Sequence, residues 1–125
     1  MKNIIVTGGA GFIGANFIKK HINKYNIINI DCLTYASNID YLSEISKSNN
    51  YKFYKINILN TKKISTIIKK LKPKYLFNFA AESHVDNSIK DSDKFIKTNI
   101  LGTHSLLKAL LDNKENLKAD FKFIQ

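Results

Sequence analysis

A doubly wound α/β fold with a parallel sheet is predicted by three observations. Apolar runs of strand length alternate with helical periodicity along the chain, as in a sheet covered on both faces. The first run, Ile4-Ile5-Val6, passes directly into the glycine-rich stretch Thr7-Gly8-Gly9-Ala10-Gly11-Phe12-Ile13-Gly14. A second run, Ile27-Ile28-Asn29-Ile30, ends on an acid, Asp31. Strand, glycine turn, helix, second strand and an acid about 20 residues on compose the Rossmann-type dinucleotide-binding fingerprint.

Each piece has a physical task. Gly9, Gly11 and Gly14 fit G-x-G-x-x-G, and Gly8, Gly11 and Gly14 fit the wider G-x-x-G-x-x-G. Either spacing brings bare backbone against a diphosphate, and the helix start adds unpaired N–H groups and partial positive charge. Asp31 is placed to accept hydrogen bonds from both hydroxyls of an adenine ribose. It would repel a 2′-phosphate, which favours NAD over NADP. The plainer alternative is a tight β-α turn with Asp31 as an ordinary loop acid, and the ordered presence of every piece weighs against it.

The remaining elements follow in order. Lys2 to Val6 is the first strand, and Phe12, Phe17, Ile18, His21 and Ile22 recur at helical spacing. After Asp31 come a polar loop, an amphipathic segment with Ile39, Tyr41, Leu42 and Ile45, a polar turn, and a third strand from Tyr51 to Ile56. Thr61 is expected to cap a helix with the buried stripe Ile64, Ile67, Ile68 and Leu71, which Pro73 ends. Tyr75 to Phe79 is the fourth strand. A long helix capped by Asp91 or Ser92 then carries Ile96, Asn99, Ile100, Thr103, Leu106, Leu107, Leu110 and Leu111 on one stripe. A fifth strand begins at Phe121, so the reading is one domain, 1–125, truncated in the fifth strand.

Composition narrows the classes. The 125 residues are 44% hydrophobic, enough for one domain with a core. One cysteine, Cys32, rules out an internal disulfide or a cysteine metal site. No apolar stretch reaches membrane-spanning length and the N-terminal run is too short for a signal peptide, so a cytoplasmic protein is expected. The net charge of +10 comes from 20 basic residues, all lysine. They are spread along the chain without interleaved aromatics, so solvated helix surfaces are expected rather than a nucleic-acid footprint.

Three further segments fall at the carboxyl ends of the predicted strands. They are Asp31-Cys32-Leu33-Thr34-Tyr35-Ala36-Ser37-Asn38, Asn57-Ile58, and Ala80-Ala81-Glu82-Ser83-His84-Val85-Asp86-Asn87-Ser88-Ile89. Together with Thr98-Asn99-Ile100-Leu101-Gly102-Thr103, the set resembles the dTDP-glucose 4,6-dehydratases of the extended short-chain dehydrogenase/reductase family, from Lys2 to Ile124. A related epimerase or GDP-mannose dehydratase would be expected to differ after the fourth strand. The resemblance implies NAD as cofactor. It puts Gly8, Gly11, Phe12, Ile13 and Gly14 at the diphosphate turn. Asp31 would hold the adenosine ribose, with Cys32, Leu33 and Thr34 beside it. Asn57 and Ile58 would flank the adenine, and Phe79, Ala80, Ala81, Glu82, Ser83 and Thr98 would run toward the nicotinamide. Ser83 or His84 would face the sugar nucleotide. His84 is balanced between a structural and a site-lining role. Glu82 reads as a buried, hydrogen-bonded carboxylate shaping the loop rather than a general acid or base.

One departure is visible. The family usually has an acid where this chain has Asn57, whose amide oxygen would accept from the adenine amino group without charge assistance. Weaker cofactor binding is expected, not its loss.

The implied reaction oxidises glucose C4 with NAD while a tyrosine, helped by a lysine, takes the hydroxyl proton. Water then leaves across C5 and C6 with help from an acid pair, and the hydride returns to C6. In the resembling proteins the acid pair follows the fifth strand, in T-D-E-V-Y-G, and a Y-x-x-x-K pair lies further on. This sequence stops at Gln125, so no catalytic residue and no metal site is expected in it. Tyr51 and Lys55 do have that spacing, but on a strand they stand about 13 Å apart. On a helix the same spacing gives about 6 Å. The expectation is therefore the NAD-binding part of a dehydratase that acts on dTDP-glucose and is a homodimer when complete. A non-catalytic NAD-binding or regulatory module, or a related epimerase or dehydratase, is the alternative, with a basic nucleic-acid-binding domain from a different class.

Overall fold

The computed structural model describes all residues, 1–125. Its five strands are β1 (Lys2–Thr7), β2 (Tyr25–Asp31), β3 (Tyr51–Lys55), β4 (Tyr75–Asn78) and β5 (Lys122–Ile124). They form one parallel sheet in the order β3-β2-β1-β4-β5. The chain winds outward from β1 to β3, then returns to lay β4 on the other side of β1. That reversal opens a crevice above the carboxyl ends of β1 and β4, where nucleotide-binding sheets hold their ligands.

Alternation along the strands fills both faces. Ile4, Val6 and Ile27 face one side with Ala15, Ile18 and Ile22 of helix α1 (Phe12–His21) and Leu42 of a short 3₁₀ helix, Ile39–Ile45. Ile5, Ile28, Ile30 and Leu76 face the other. There they meet Ile64, Ile67 and Ile68 of α2 (Thr61–Leu71) and Leu106, Ala109 and Leu110 of α5 (Thr103–Leu111). Each fully buried isoleucine or leucine contributes about 1.5–3 kcal/mol, so these two layers fix the register that positions the site.

The helix ends refine the expectations. Asn60, not Thr61, caps α2: its Oδ1 accepts from Lys63 N–H at 3.1 Å. Thr61 is the first helical residue, and its hydroxyl bonds Ser105 on α5 at 2.5 Å. Lys72, in the left-handed region at φ 45°, closes the helix before Pro73. Asp91 caps the next helical run through Lys94 N–H. A helical turn that the sequence reading did not separate, α3 (Val85–Lys90), precedes it.

The long helix differs more. It comprises α4 (Ser92–Phe95), a π segment (Ile96–Gly102) and α5. Ile96, Ile100, Leu107 and Leu111 of the expected buried stripe are 46–67% exposed. The sheet-facing side is made instead by Gly102, Ser105, Leu106, Ala109 and Leu110. The wide π turn shifts the phase of residues before Gly102 relative to those after it. Small residues then let the helix lie close, and a Cβ on Gly102 would overlap the tip of Ile58.

Candidate dinucleotide site

The glycine turn is shaped by close backbone contacts. Gly8 has φ 70°, and its N–H donates to Ile30 O at 2.9 Å. A Cβ on Gly8 would overlap the backbone of Phe79 and Ala80 at the end of β4. One on Gly14 would overlap Gly8 O, because α1 starts directly behind the turn. Gly11 is different: an added Cβ would meet only Gly8 O, at 3.4 Å. Gly11 is also the N-cap of α1 and supplies no side-chain cap, so the N–H groups of the first turn are left for a ligand.

Asp31 ties this turn to the loop after β2. It is 6% exposed. Its Oδ2 accepts from Ala10 N–H at 2.9 Å, and its Oδ1 from Leu33 N–H at 2.8 Å and the Ser37 hydroxyl at 3.0 Å. Leu33 reaches its place with φ 59°, a left-handed conformation that the carboxylate helps to hold. Asn38 N–H adds a bond to Ala10 O at 2.8 Å. The acid is thus part of the turn's scaffold.

A cleft open to solvent runs over the carboxyl ends of the strands. It brings together Gly8, Gly11, Asp31, Cys32, Thr34, Asn57, Ile58, Phe79, Ala80, Ala81, Glu82 and Thr98 from the expected set. Ile30, Ala36, Ser37 and Ile56 also line it. None of these carried a site role in the sequence: two are ordinary strand-end isoleucines, and Ala36 and Ser37 entered only within the segment Asp31 to Asn38 that carries the resemblance. Phe12 and Ile13 stand exposed at the start of α1, and Gly14 is buried behind the turn. Leu33 contributes its backbone to Asp31 rather than a side chain to the cleft. Ser83 and His84 are exposed and lie outside the cleft lining. The His84 ring packs on Tyr35, with centroids 5.6 Å apart.

The β4 side of the cleft is held by a residue that periodicity had assigned to the apolar stripe. Asn99 Oδ1 accepts from Glu82 N–H at 2.8 Å, and its Nδ2 donates to Glu82 O at 2.9 Å. This clamp starts in the π segment, a type of irregularity often found beside functional sites. Glu82 itself is 7% exposed; Tyr35 donates to its Oε2 at 3.4 Å, and Lys94 Nζ stands 3.9 Å from its Oε1. It lines the cleft with both carboxylate oxygens facing partners from the chain.

Two further groups line the cleft with polar chemistry, Cys32 and Asn57. Burial, reinforced by the negative charge of Asp31, pushes the Cys32 thiol above its ordinary range. Asn57 spends its Oδ1 on Leu59 N–H at 2.9 Å. That oxygen keeps a second lone pair and Nδ2 has no partner in the chain, so the exposed amide can both accept and donate at the cleft.

A strand-turn-helix unit with an uncapped helix start, a Cβ-free turn and a buried acid on the neighbouring strand defines a dinucleotide-binding module of the Rossmann type. Residues 5–125 match the sequence model of GDP-mannose 4,6 dehydratase, and the chain belongs to that family. A dTDP-glucose 4,6-dehydratase of Salmonella typhimurium is 43% identical over 130 residues, covering 96% of this chain and 35% of its own length. The crystal structure of a Bacillus anthracis dTDP-glucose 4,6-dehydratase in complex with NAD superposes with TM-score 0.80 at 38% identity, over 94% of this chain and 36% of its own. A Streptomyces venezuelae dTDP-glucose 4,6-dehydratase with NAD and TYD bound gives TM-score 0.83 at 33% identity, over 90% and 36%. The 125 residues thus span about a third of the length of these relatives.

Proposed function

We propose that residues 1–125 form the NAD-binding part of a dTDP-glucose 4,6-dehydratase. In this reading the whole enzyme is a cytoplasmic, homodimeric hydro-lyase that converts dTDP-glucose to dTDP-4-keto-6-deoxyglucose and water. The supporting observation is the meeting, in one cleft at the reversal of strand order, of the Gly8–Gly11 turn with the buried Asp31. The donor set fits NAD: bare backbone and free helix N–H groups suit a diphosphate, and the carboxylate suits a ribose without a 2′-phosphate.

The bound nicotinamide would supply hydride acceptance and return. This chain's residues would bind and orient it. The turn and the start of α1 would hold the diphosphate. Asp31 and Asn57 would sit on the adenosine side, toward β2 and β3, and Phe79 to Glu82 on the side of β4. The acid-base groups of the reaction are assigned to residues outside 1–125. Tyr51 and Lys55 stand at opposite ends of β3, too far apart for one to assist the other.

Cys32 offers a direct test, because it is the single thiol and lines the cleft. Saturating NAD is expected to slow its alkylation by iodoacetamide at least roughly tenfold, as a thiol sequestered under ligand loses access. Without NAD, the rate should keep climbing with pH beyond the ordinary thiol range, since burial disfavours the thiolate. Equal alkylation rates with and without NAD would contradict the placement.

A further inference from the structure

The Asp31 carboxylate is nearly saturated by the chain itself. Its Oδ1 accepts from both Leu33 N–H and the Ser37 hydroxyl, and its Oδ2 from Ala10 N–H. A carboxylate offers about four lone-pair positions, so one remains open, on Oδ2. A ribose diol brings two hydroxyl donors. Ser37 Oγ has committed its hydrogen to Asp31 and keeps its own lone pairs. It lines the same cleft and is placed by a closed turn in which Ser37 N–H donates to Thr34 O at 2.9 Å. A hydroxyl that donates to a carboxylate is also a stronger acceptor, because hydrogen bonds in series polarise one another.

We propose that the adenosine ribose is read by two residues: one hydroxyl donates to Asp31 Oδ2 and the other to Ser37 Oγ, which passes the interaction on to Asp31. This rests on the NAD reading above and adds Ser37 as a specificity-determining residue for the intact diol. The alternative arrangement, with both hydroxyls on Asp31, requires Ser37 to give up its bond.

Calorimetric titration of the 125-residue chain, Ser37→Ala and Ser37→Thr separates the two. The ligands are NAD and two NAD analogues lacking the adenosine 2′- or 3′-hydroxyl. Ser37→Ala is expected to weaken NAD roughly fivefold, the worth of one neutral hydrogen bond. It should leave the affinity for one of the two deoxy analogues unchanged, because that analogue never engages Ser37. Ser37→Thr, which keeps the hydroxyl, should retain NAD binding. Unchanged or tighter NAD binding by Ser37→Ala would overturn the proposal, since a freed Oδ1 would then serve the diol directly. An equal loss for all three ligands would also overturn it, by showing a merely structural role. Failure of the unsubstituted chain to bind NAD would instead refute the cofactor reading, and this inference with it.

Discussion

Gly8→Ala is expected to destabilise the protein by about 3–5 kcal/mol, whereas Gly11→Ala should leave stability within about 1 kcal/mol and weaken NAD binding. At Gly8 two costs add. Its φ of 70° lies where alanine pays about 1–2 kcal/mol. The new Cβ would also overlap backbone atoms of Phe79 and Ala80, which the sheet holds in place through the Phe79 N–H bond to Thr7 O at 2.9 Å. Neither strand end can move without breaking the β1–β4 ladder. A domain of this size has only about 5–15 kcal/mol in total, so the variant should be largely or partly unfolded. Gly11 has an extended φ of −77° and room for a methyl group. That methyl stands over the turn where the diphosphate would lie, and an affinity loss of roughly tenfold or more follows from about 1.4 kcal/mol of lost contact. Urea denaturation with NAD titration checks both: the Gly8 variant should lose midpoint, the Gly11 variant affinity. Equal stability losses in the two would contradict this division of labour.

Asp31→Ala is the second large effect, and it should appear in stability as well as binding. The substitution leaves the buried Ala10 N–H and the partly buried Leu33 N–H without acceptors. Hydrogen bonds to a charged group are worth about 1.5–3 kcal/mol, and orphaned donors cost a comparable amount, so a loss of about 3 kcal/mol is expected. The left-handed Leu33 and the Ser37 turn lose their shared anchor at the same time. NAD binding should fall below detection, because the ribose acceptor and the geometry of the glycine turn disappear together. Thermal melts and NAD titration measure the two losses. A variant that melts like the unsubstituted protein would show that Asp31 does not cross-link the turn.

Much of the fold was legible because it depends on periodicity and order. The alternation of Ile4, Ile5 and Val6, the stripe Ile64, Ile67 and Ile68, and the position of Asp31 at the end of β2 all follow from local pattern. The phase of the long helix was not legible. A π segment makes no mark on apolar spacing, so Ile96 and Ile100 looked in phase with the buried Leu106 and Leu110, whereas Leu107 and Leu111 are the exposed neighbours of those two on one regular helix. Asn60 and Thr61 are both competent caps, and only the partner at Ser105 decided which hydroxyl or amide was free.

At the site, the glycines and Asp31 were visible because their chemistry is tied to a sequence spacing. The cleft also gathers Cys32, Thr34, Asn57, Ile58 and Phe79 to Glu82, which the resemblance had implied. Ser37 and Asn99 were not recognised as site-builders. Their roles come from contacts across the fold, Ser37 to Asp31 and Asn99 to Glu82 seventeen residues away. Asn57 shows the same limit: its residue type was informative, but its bond from Leu59 N–H was not visible in the sequence.

If Gly8 to Gly14 and Asp31 cradle NAD, binding must discriminate at the adenosine 2′ position. Calorimetric titration of the 125-residue chain with NAD and, separately, with NADP tests it most directly. Saturable NAD binding is expected, with an NADP affinity at least roughly tenfold lower, from a 2′-phosphate set against the Asp31 carboxylate. No saturable NAD binding, or NADP bound as tightly as NAD, would contradict it.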